Sequence, residues 1–324
     1  MKPRVFLTRS LPAAAMERLA AETELHLPPS ASAPDPAALL AGATACQALL
    51  CTIADTVDSA LIEACPHLKV IANFGVGFNN IAVATASKLR IPVTNTPGVL
   101  TAATADLAFG LIIAATRRFA EGESLVRSGA WRGWEPLQLL GGDLAGANLG
   151  LIGLGRIGTT VARRAQAFDM RIRYWNRTRL PPGEEISLGL EYRDRDALLA
   201  EADVVSLHVA YTTETHHLID ARAFARMKST AVLVNTARGA VVDEAALVQA
   251  LRSGQIAAAG LDVYEREPAL HPELSSLHNC ILLPHLGSAT TGTRTRMAML
   301  AIDNLLAACA DQRPTHCVNP EIFA

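Results

Sequence analysis

The chain has 324 residues, half of them hydrophobic and 19% charged, which suits two domains with buried cores. Its net charge of −2, with acids and bases interspersed, argues against a polyanion-binding surface, so nucleic acid is not an expected partner. The six cysteines (Cys46, Cys51, Cys65, Cys280, Cys309, Cys317) form no CxxC pair and no metal-ligand spacing; they read as reduced, mostly buried thiols of a cytoplasmic protein without a metal site.

At the N-terminus, MKPRVFLTRSLPAAAMERL has a three-residue apolar run before a charge, too short for a signal peptide. RVFLT, ALLCT and VIANF then read as strands, with helical stretches between them. Pro97 and Gly98 punctuate NTPGVLTAAT, and a long apolar helix is expected over 102–118. Its most apolar window, LAFGLIIAAT, falls short of the roughly 18 residues that cross a bilayer, so no membrane association is expected. A second strand series follows: NLGLIGLG, MRIRYW, DVVSLHV, AVLVNTA, AAAGLDV and NCILLPH. Continuous runs rich in Val, Ile and Leu suit parallel strands covered on both faces. Helices are expected at 156–168 and in VDEAALVQALRSG, where Asp243 can cap and Gly254 can stop the helix. The alternation of β and α predicts doubly wound sheets.

The first strand of that series runs into Gly153-x-Gly155-x-x-Gly158 and an amphipathic helix. In this context Gly153 allows a tight turn, Gly155 lets the backbone approach a pyrophosphate, and Gly158 allows close helix–strand packing. The phosphates would meet free N–H groups at the helix N-terminus. The next strand ends in NRTR, and Asn176, 18 residues past Gly158, stands where a ribose-reading acid is usual. Without that carboxylate an adenosine 2′-phosphate meets no repulsion. Arg177 can pair with it in a bidentate manner, while Asn176 and Thr178 donate hydrogen bonds. NADP(H) is therefore the expected cofactor. The competing reading leaves Arg177 and Arg179 as solvated loop charges.

Three further signals follow at strand ends: Arg238 in VNTARGAVVDEAAL, Asp262, Glu265 and Glu267 in GLDVYEREP, and His285 in LLPHLGS. All lie at carboxyl ends of parallel strands, the edge where such sheets bind ligands. GLGRIG, NTARG, DVYEREP and PHLGS, in this order and at these spacings, resemble the D-isomer-specific 2-hydroxyacid dehydrogenases over essentially the whole chain. FGVGFNNI at 74–81 resembles the family's substrate loop, and TAATADLAFGLIIA its long helix. The W-x-x-W-x-P before the glycine turn and the NRT after the second strand look most like the glyoxylate/hydroxypyruvate reductases of that family.

The resemblance implies an α/β fold of two doubly wound domains. A Rossmann nucleotide-binding domain (100–286) would be inserted into a flavodoxin-like substrate-binding domain (1–99 and 287–324). It implies NADPH-dependent reduction of small 2-oxo acids, glyoxylate to glycolate and hydroxypyruvate to D-glycerate. His285 would protonate the carbonyl oxygen as hydride arrives at C2. Glu267 would hold its imidazole and favour the charged form. Arg238 would grip the substrate carboxylate, with the N–H groups of Val76 and Gly77 completing that site. Asp262 would hydrogen-bond the nicotinamide carboxamide. Thr104, Arg156, Ile157, His208, Thr212, Thr236, Ala237 and Gly287 would line the cofactor. Glu265 competes with Glu267 for the imidazole; Glu267 is preferred because it precedes Pro268, as the family's acid does. Ala210 stands where the family often has Pro, which puts that loop's path in doubt.

A site drawing on both domains would close over its ligands, with hinges near Pro97–Leu100 and Leu286–Thr290. WRGWEPLQLL carries two tryptophans outside any regular strand, and in the resembled reductases this region crosses a two-fold interface. A homodimer is implied, in which Trp134 walls the partner's substrate pocket; the alternative packs Trp131 and Trp134 in the interface or core. Two other functions stay open: a 2-ketogluconate-type sugar-acid reductase, and a dinucleotide-sensing binding protein of the same fold.

Overall fold

The computed structural model describes residues 1–28 and 34–324. They form two compact units, Met1–Leu100 with Ala289–Ala324, and Thr101–Ser288. Each is organised around one parallel sheet flanked by helices.

In the first unit the strands are β1 (Arg4–Leu7), β2 (Glu24–His26), β3 (Ala48–Thr52), β4 (Val70–Phe74) and β5 (Val93–Thr94). Their spatial order is β2-β1-β3-β4-β5, the flavodoxin-like order. Every residue of the central ALLCT strand is buried, because successive side chains enter cores on opposite faces. Leu49, Cys51 and Ile71 pack with Ile62 and Ala86 on one face. Leu50 and Ala72 pack on the other with Ala298 and Ile302, from the helix Thr291–Cys309. The chain's last helix thus completes the core that its first strands begin.

The second unit holds β6 (Asn148–Ile152), β7 (Arg171–Trp175), β8 (Leu190–Tyr192), β9 (Val204–Leu207), β10 (Val232–Asn235), β11 (Ala258–Leu261) and β12 (Cys280–Leu282). Their order is β12-β11-β10-β9-β6-β7-β8. The apolar helix Thr101–Thr116 lies on one face, with Ala108, Leu111 and Ile112 packed on residues of β6, β9 and β10. The helix Glu244–Arg252 covers the other through Leu247 and Val248. Asp243 caps that helix, its carboxylate accepting the Ala246 N–H at 3.0 Å.

All six strands of the second sequence series are present, and every pairing between named strands is parallel, so the doubly wound expectation is borne out. Three strands escaped the sequence reading: β2, β5 and β8. They have three, two and three residues and lie at sheet edges, too short to display a periodicity. The long helix ends at Thr116, earlier than expected, because Arg118 turns the chain in a left-handed conformation (φ 55°). Among the described residues no helix is long and apolar enough to cross a membrane.

Candidate functional site

From β6 the chain builds outward through β7 and β8, then returns to place β9 on the other side of β6. The crevice at such a reversal is where open α/β sheets bind ligands. The glycine turn stands there. Gly153 has φ 97°, and a Cβ on it would lie 2.7 Å from the carbonyl carbon of His208, just past β9. A Cβ on Gly158 would overlap the carbonyl oxygen of Gly153. The first and third glycines are therefore demanded by the chain's own packing. Gly155 is different: nothing lies within 4 Å of its Cβ position, and its φ of −83° suits any residue. It caps the helix Arg156–Gln166, whose first N–H groups, from Arg156 and Ile157 onward, lack intrahelical acceptors. An open cradle over a helix N-terminus fits a dinucleotide pyrophosphate.

At the end of β7, Asn176 is tied to this turn, its Oδ1 accepting the Leu154 N–H at 3.2 Å. That leaves the NH2 of Asn176 for other partners. Arg177 and Thr178 are exposed. Arg179 is exposed as well, but it is paired. Its guanidinium donates to both carboxylate oxygens of Glu185 (2.7 and 2.8 Å) and lies over the Tyr192 ring, 5.1 Å from its centre. The buried Tyr174 hydroxyl donates to Glu185 at 2.7 Å and accepts the Leu180 N–H at 2.9 Å. Arg179 and then Tyr174 hold the Glu185 carboxyl down to about 2. Both arginines of NRTR face solvent, but Arg179 also fastens the loop through Glu185.

Beyond β9, the His208 ring nitrogen lies 2.9 Å from Ser206 Oγ. Burial pushes the imidazole down to about 4, so it is neutral near pH 7. Thr212 opens a short turn, its N–H donating to Thr215 Oγ1 at 2.7 Å. At the end of β10, the Thr236 hydroxyl is buried and has no hydrogen-bond partner among the described residues. Such an orphan is what a cofactor-lining group looks like when its partner is a ligand. Ala237 donates its N–H to Asn235 Oδ1 at 3.0 Å, and Arg238 Nη1 donates to the Ala237 carbonyl at 2.6 Å. Burial lowers the Arg238 pKa and the Glu267 charge opposes this, leaving the guanidinium cationic. Gly239 lets this turn touch the Tyr264–Glu265 backbone, where any Cβ would overlap main-chain atoms.

After β11, Asp262 is almost fully buried, and burial raises its pKa. Its two oxygens accept the N–H groups of Leu286 (2.6 Å) and Gly287 (2.8 Å). Thr104 Oγ1 donates to the Gly287 carbonyl at 3.0 Å. Asp262, Thr104 and Gly287 therefore anchor the segment that presents His285. His285 itself has φ 55°, a conformation that is uncommon outside glycine. Its Nδ1 lies 2.8 Å from Glu267 Oε2, while Glu267 Oε1 accepts the Tyr264 N–H at 3.0 Å. Burial works to raise the Glu267 pKa, yet the hydrogen bond and charge of His285, with the Tyr264 N–H and Arg238, bring it below the ordinary carboxylate range. Glu265 is directed elsewhere, with Oε1 2.8 Å from His217 Nε2.

In the first unit, the loop after β4 has both relevant carbonyls occupied. Asn95 Nδ2 donates to the Val76 carbonyl at 2.7 Å and Asn73 Nδ2 to that of Gly77 at 2.8 Å. Neither the Val76 nor the Gly77 N–H has an acceptor among the described residues. Successive free N–H groups suit an anion. Trp134 is 81% exposed.

Sequence reading missed two groups: the Tyr174–Glu185–Arg179 network and the His217–Glu265 pair. The latter spans 48 residues with no local signal.

Residues 109–287 match the family model of the D-isomer specific 2-hydroxyacid dehydrogenase, NAD binding domain. Over 327 residues the chain is 47% identical to the glyoxylate reductase of Thermococcus litoralis, covering 100% of this chain and 98% of that protein. It is 46% identical over 325 residues to the glyoxylate reductase of Korarchaeum cryptofilum, covering 99% and 97%. Among solved structures, the NADPH-dependent glyoxylate/hydroxypyruvate reductase of Sinorhizobium meliloti, in complex with NADP and malonate, is similar with a TM-score of 0.87 at 36% identity, covering 98% and 97%. With a matching domain model, full-length relatives and strand-end geometry in agreement, the chain belongs to the D-isomer-specific 2-hydroxyacid dehydrogenases and is related along its whole length to glyoxylate reductases.

Proposed function

We propose that this protein reduces glyoxylate to glycolate and hydroxypyruvate to D-glycerate, with NADPH as the preferred cofactor. The observation that carries the reading is the 2.8 Å pair of His285 and Glu267, in the same unit as Arg238 and the glycine turn. A bound reduced nicotinamide supplies hydride to the substrate C2. With Nδ1 on Glu267, His285 keeps Nε2 for the reacting oxygen, and the Glu267 carboxylate favours the imidazolium that gives up its proton there. Arg238 grips the substrate carboxylate and polarises the carbonyl. The N–H groups of Val76 and Gly77 are assigned to the same anion.

Gly153, Gly155, Gly158 and the first turn through Arg156 and Ile157 hold the pyrophosphate. Asn176, Arg177 and Thr178 hold the 2′-phosphate. Thr236, Ala237, His208, Thr212, Thr104, Asp262 and Gly287 line the remainder. The unit Thr101–Ser288 is thus the cofactor-binding domain, and the unit containing Val76 binds substrate. We assign the protein a homodimer in which Trp134 walls the partner's pocket, because a tryptophan 81% exposed on one chain needs a cover.

The test mixes protein with NADPH and, separately, glyoxylate, hydroxypyruvate and 2-ketogluconate, and follows loss of the reduced cofactor. Turnover of the two smaller acids, slower with NADH, is expected. Turnover only of 2-ketogluconate would move the substrate class to sugar acids, and binding of NADPH without any turnover would identify a sensor.

A further inference from the structure

Three loops of the second unit meet at His217. Its own loop follows β9, the Arg238–Ala240 turn follows β10, and the Tyr264–Glu267 segment follows β11. His217 is held in the left-handed region (φ 48°), and its N–H donates to the Ala240 carbonyl at 2.9 Å. Its Nε2 lies 2.8 Å from Glu265 Oε1, and its Nδ1 lies 4.0 Å from Asp243 Oδ2. The ring stacks on His216 with centres 3.9 Å apart, and Tyr211 OH reaches His216 Nδ1 at 3.3 Å. Glu265 is held again through its backbone: its N–H donates to Oε1 of the buried Glu244 at 2.7 Å. Two positions on, Glu267 takes His285. The segment thus presents two carboxylates to two histidines, in one definite pairing.

We propose that His217 is a positioning residue that sorts these carboxylates. By engaging Glu265 it keeps that acid off His285, and it clamps the Tyr264–Glu267 segment to the Arg238 turn. The proposal rests on the reductase reading for its kinetic arm alone.

The experiment compares wild type with His217→Ala, His217→Gln and Glu265→Gln. It measures kcat, the KM for glyoxylate, the NADPH dissociation constant from protein fluorescence, and the imidazole resonances of ligand-free protein by nitrogen-correlated NMR. His217→Ala is expected to lose about tenfold in kcat, with NADPH affinity within twofold of wild type. The amide of His217→Gln can still donate to Glu265, so this variant keeps most of the rate. In the NMR arm, His217→Ala displaces the His285 signals, whereas Glu265→Gln leaves them near their wild-type positions, because no second carboxylate remains to reach the ring. If His217→Ala proves unstable, His217→Phe carries the test, since its ring can keep the stack on His216 while donating nothing to Glu265.

Unmoved His285 resonances or a kcat within twofold of wild type in His217→Ala, or equal losses in His217→Gln and His217→Ala, would overturn the sorting role. Absence of turnover in wild type would instead defeat the reductase reading, and the NMR arm would still decide the positioning claim.

Discussion

Arg177 and Arg179 are two residues apart and have different work. Arg179 is paired with both oxygens of Glu185 and lies over the Tyr192 ring, whereas Arg177 stands at the strand end, close enough to Glu214 to help lower its carboxyl pKa. Arg177→Ala is expected to raise the KM for NADPH at least tenfold and leave NADH unchanged, since a charge-assisted hydrogen bond contributes about 1.5–3 kcal/mol. Steady-state kinetics with both cofactors check this; equal efficiency with the two in wild type would remove the basis for the prediction. A second residue-scale prediction concerns pH. The Glu267 pKa lies below the ordinary carboxylate range, held there by His285, the Tyr264 N–H and Arg238, so the acid stays ionised where reduction is measured at neutral pH. Reduction of a ketone takes up a proton, so kcat/KM is expected to fall on the basic side. Glu267→Gln is expected to move that limb of kcat/KM to lower pH, because the charged ring loses its partner. A limb that stays in place would overturn the pairing.

At the scale of elements, the turn between β6 and its helix separates glycines needed by the fold from one needed by a ligand. Gly158→Ala places a Cβ against a main-chain oxygen and is expected to destabilise by about 1–3 kcal/mol, read as a lower Tm without cofactor. Gly155→Ala meets no protein atom, so its Tm without cofactor stays near wild type while NADPH binding weakens. Equal thermal losses in the two variants would show that the second glycine is structural. The loop after β7 supports a pH-linked prediction. The Glu185 pKa is depressed to about 2, so its contribution to stability is full above the unfolded-state value of about 4.3 and is lost as pH falls towards 2. Urea midpoints between pH 7 and 3 are expected to fall less steeply in Glu185→Gln than in wild type. Sequence patterning revealed β6, β9, β10, β11 and β12 as apolar runs and β7 as an alternation of apolar and charged residues. It did not reveal β8, where Leu190 is the one buried residue of three.

At the scale of the whole molecule, much of the exposed large apolar surface comes from one stretch. Phe119, Val126, Trp131, Trp134, Leu137 and Leu140 are each at least half exposed. A monomer rarely presents such a patch to water, and covering it with a second copy removes the cost. Leu137→Glu together with Leu140→Glu is expected to shift sedimentation towards a monomer without loss of NADPH binding. Trp134→Ala is expected to remain dimeric and to change the ratio of glyoxylate to hydroxypyruvate efficiency. Uniform loss across substrates would make the indole a packing residue only.

The longer strands in their chain order, the glycine turn, the missing acid at Asn176 and the strand-end positions of Arg238, Glu267 and His285 were all legible in the sequence, because each is local. A buried strand needs a run of apolar residues, and a turn needs its glycines within six positions. The tertiary structure alone decided which partners those residues take. Glu265 and Glu267 are both acids on one segment, and only the resemblance, through Pro268, prefers the second; what holds them to different partners is His217, 48 residues from Glu265, beside one and His285 beside the other. Arg177 and Arg179 are equally alike until Glu185 and Tyr192 capture one of them. Asp262, read as a cofactor ligand, also braces the His285 segment through two backbone N–H groups. Hydrogen bonds form between atoms about 3 Å apart in space, and the distance along the chain that folding closes carries no mark in the residues it brings together.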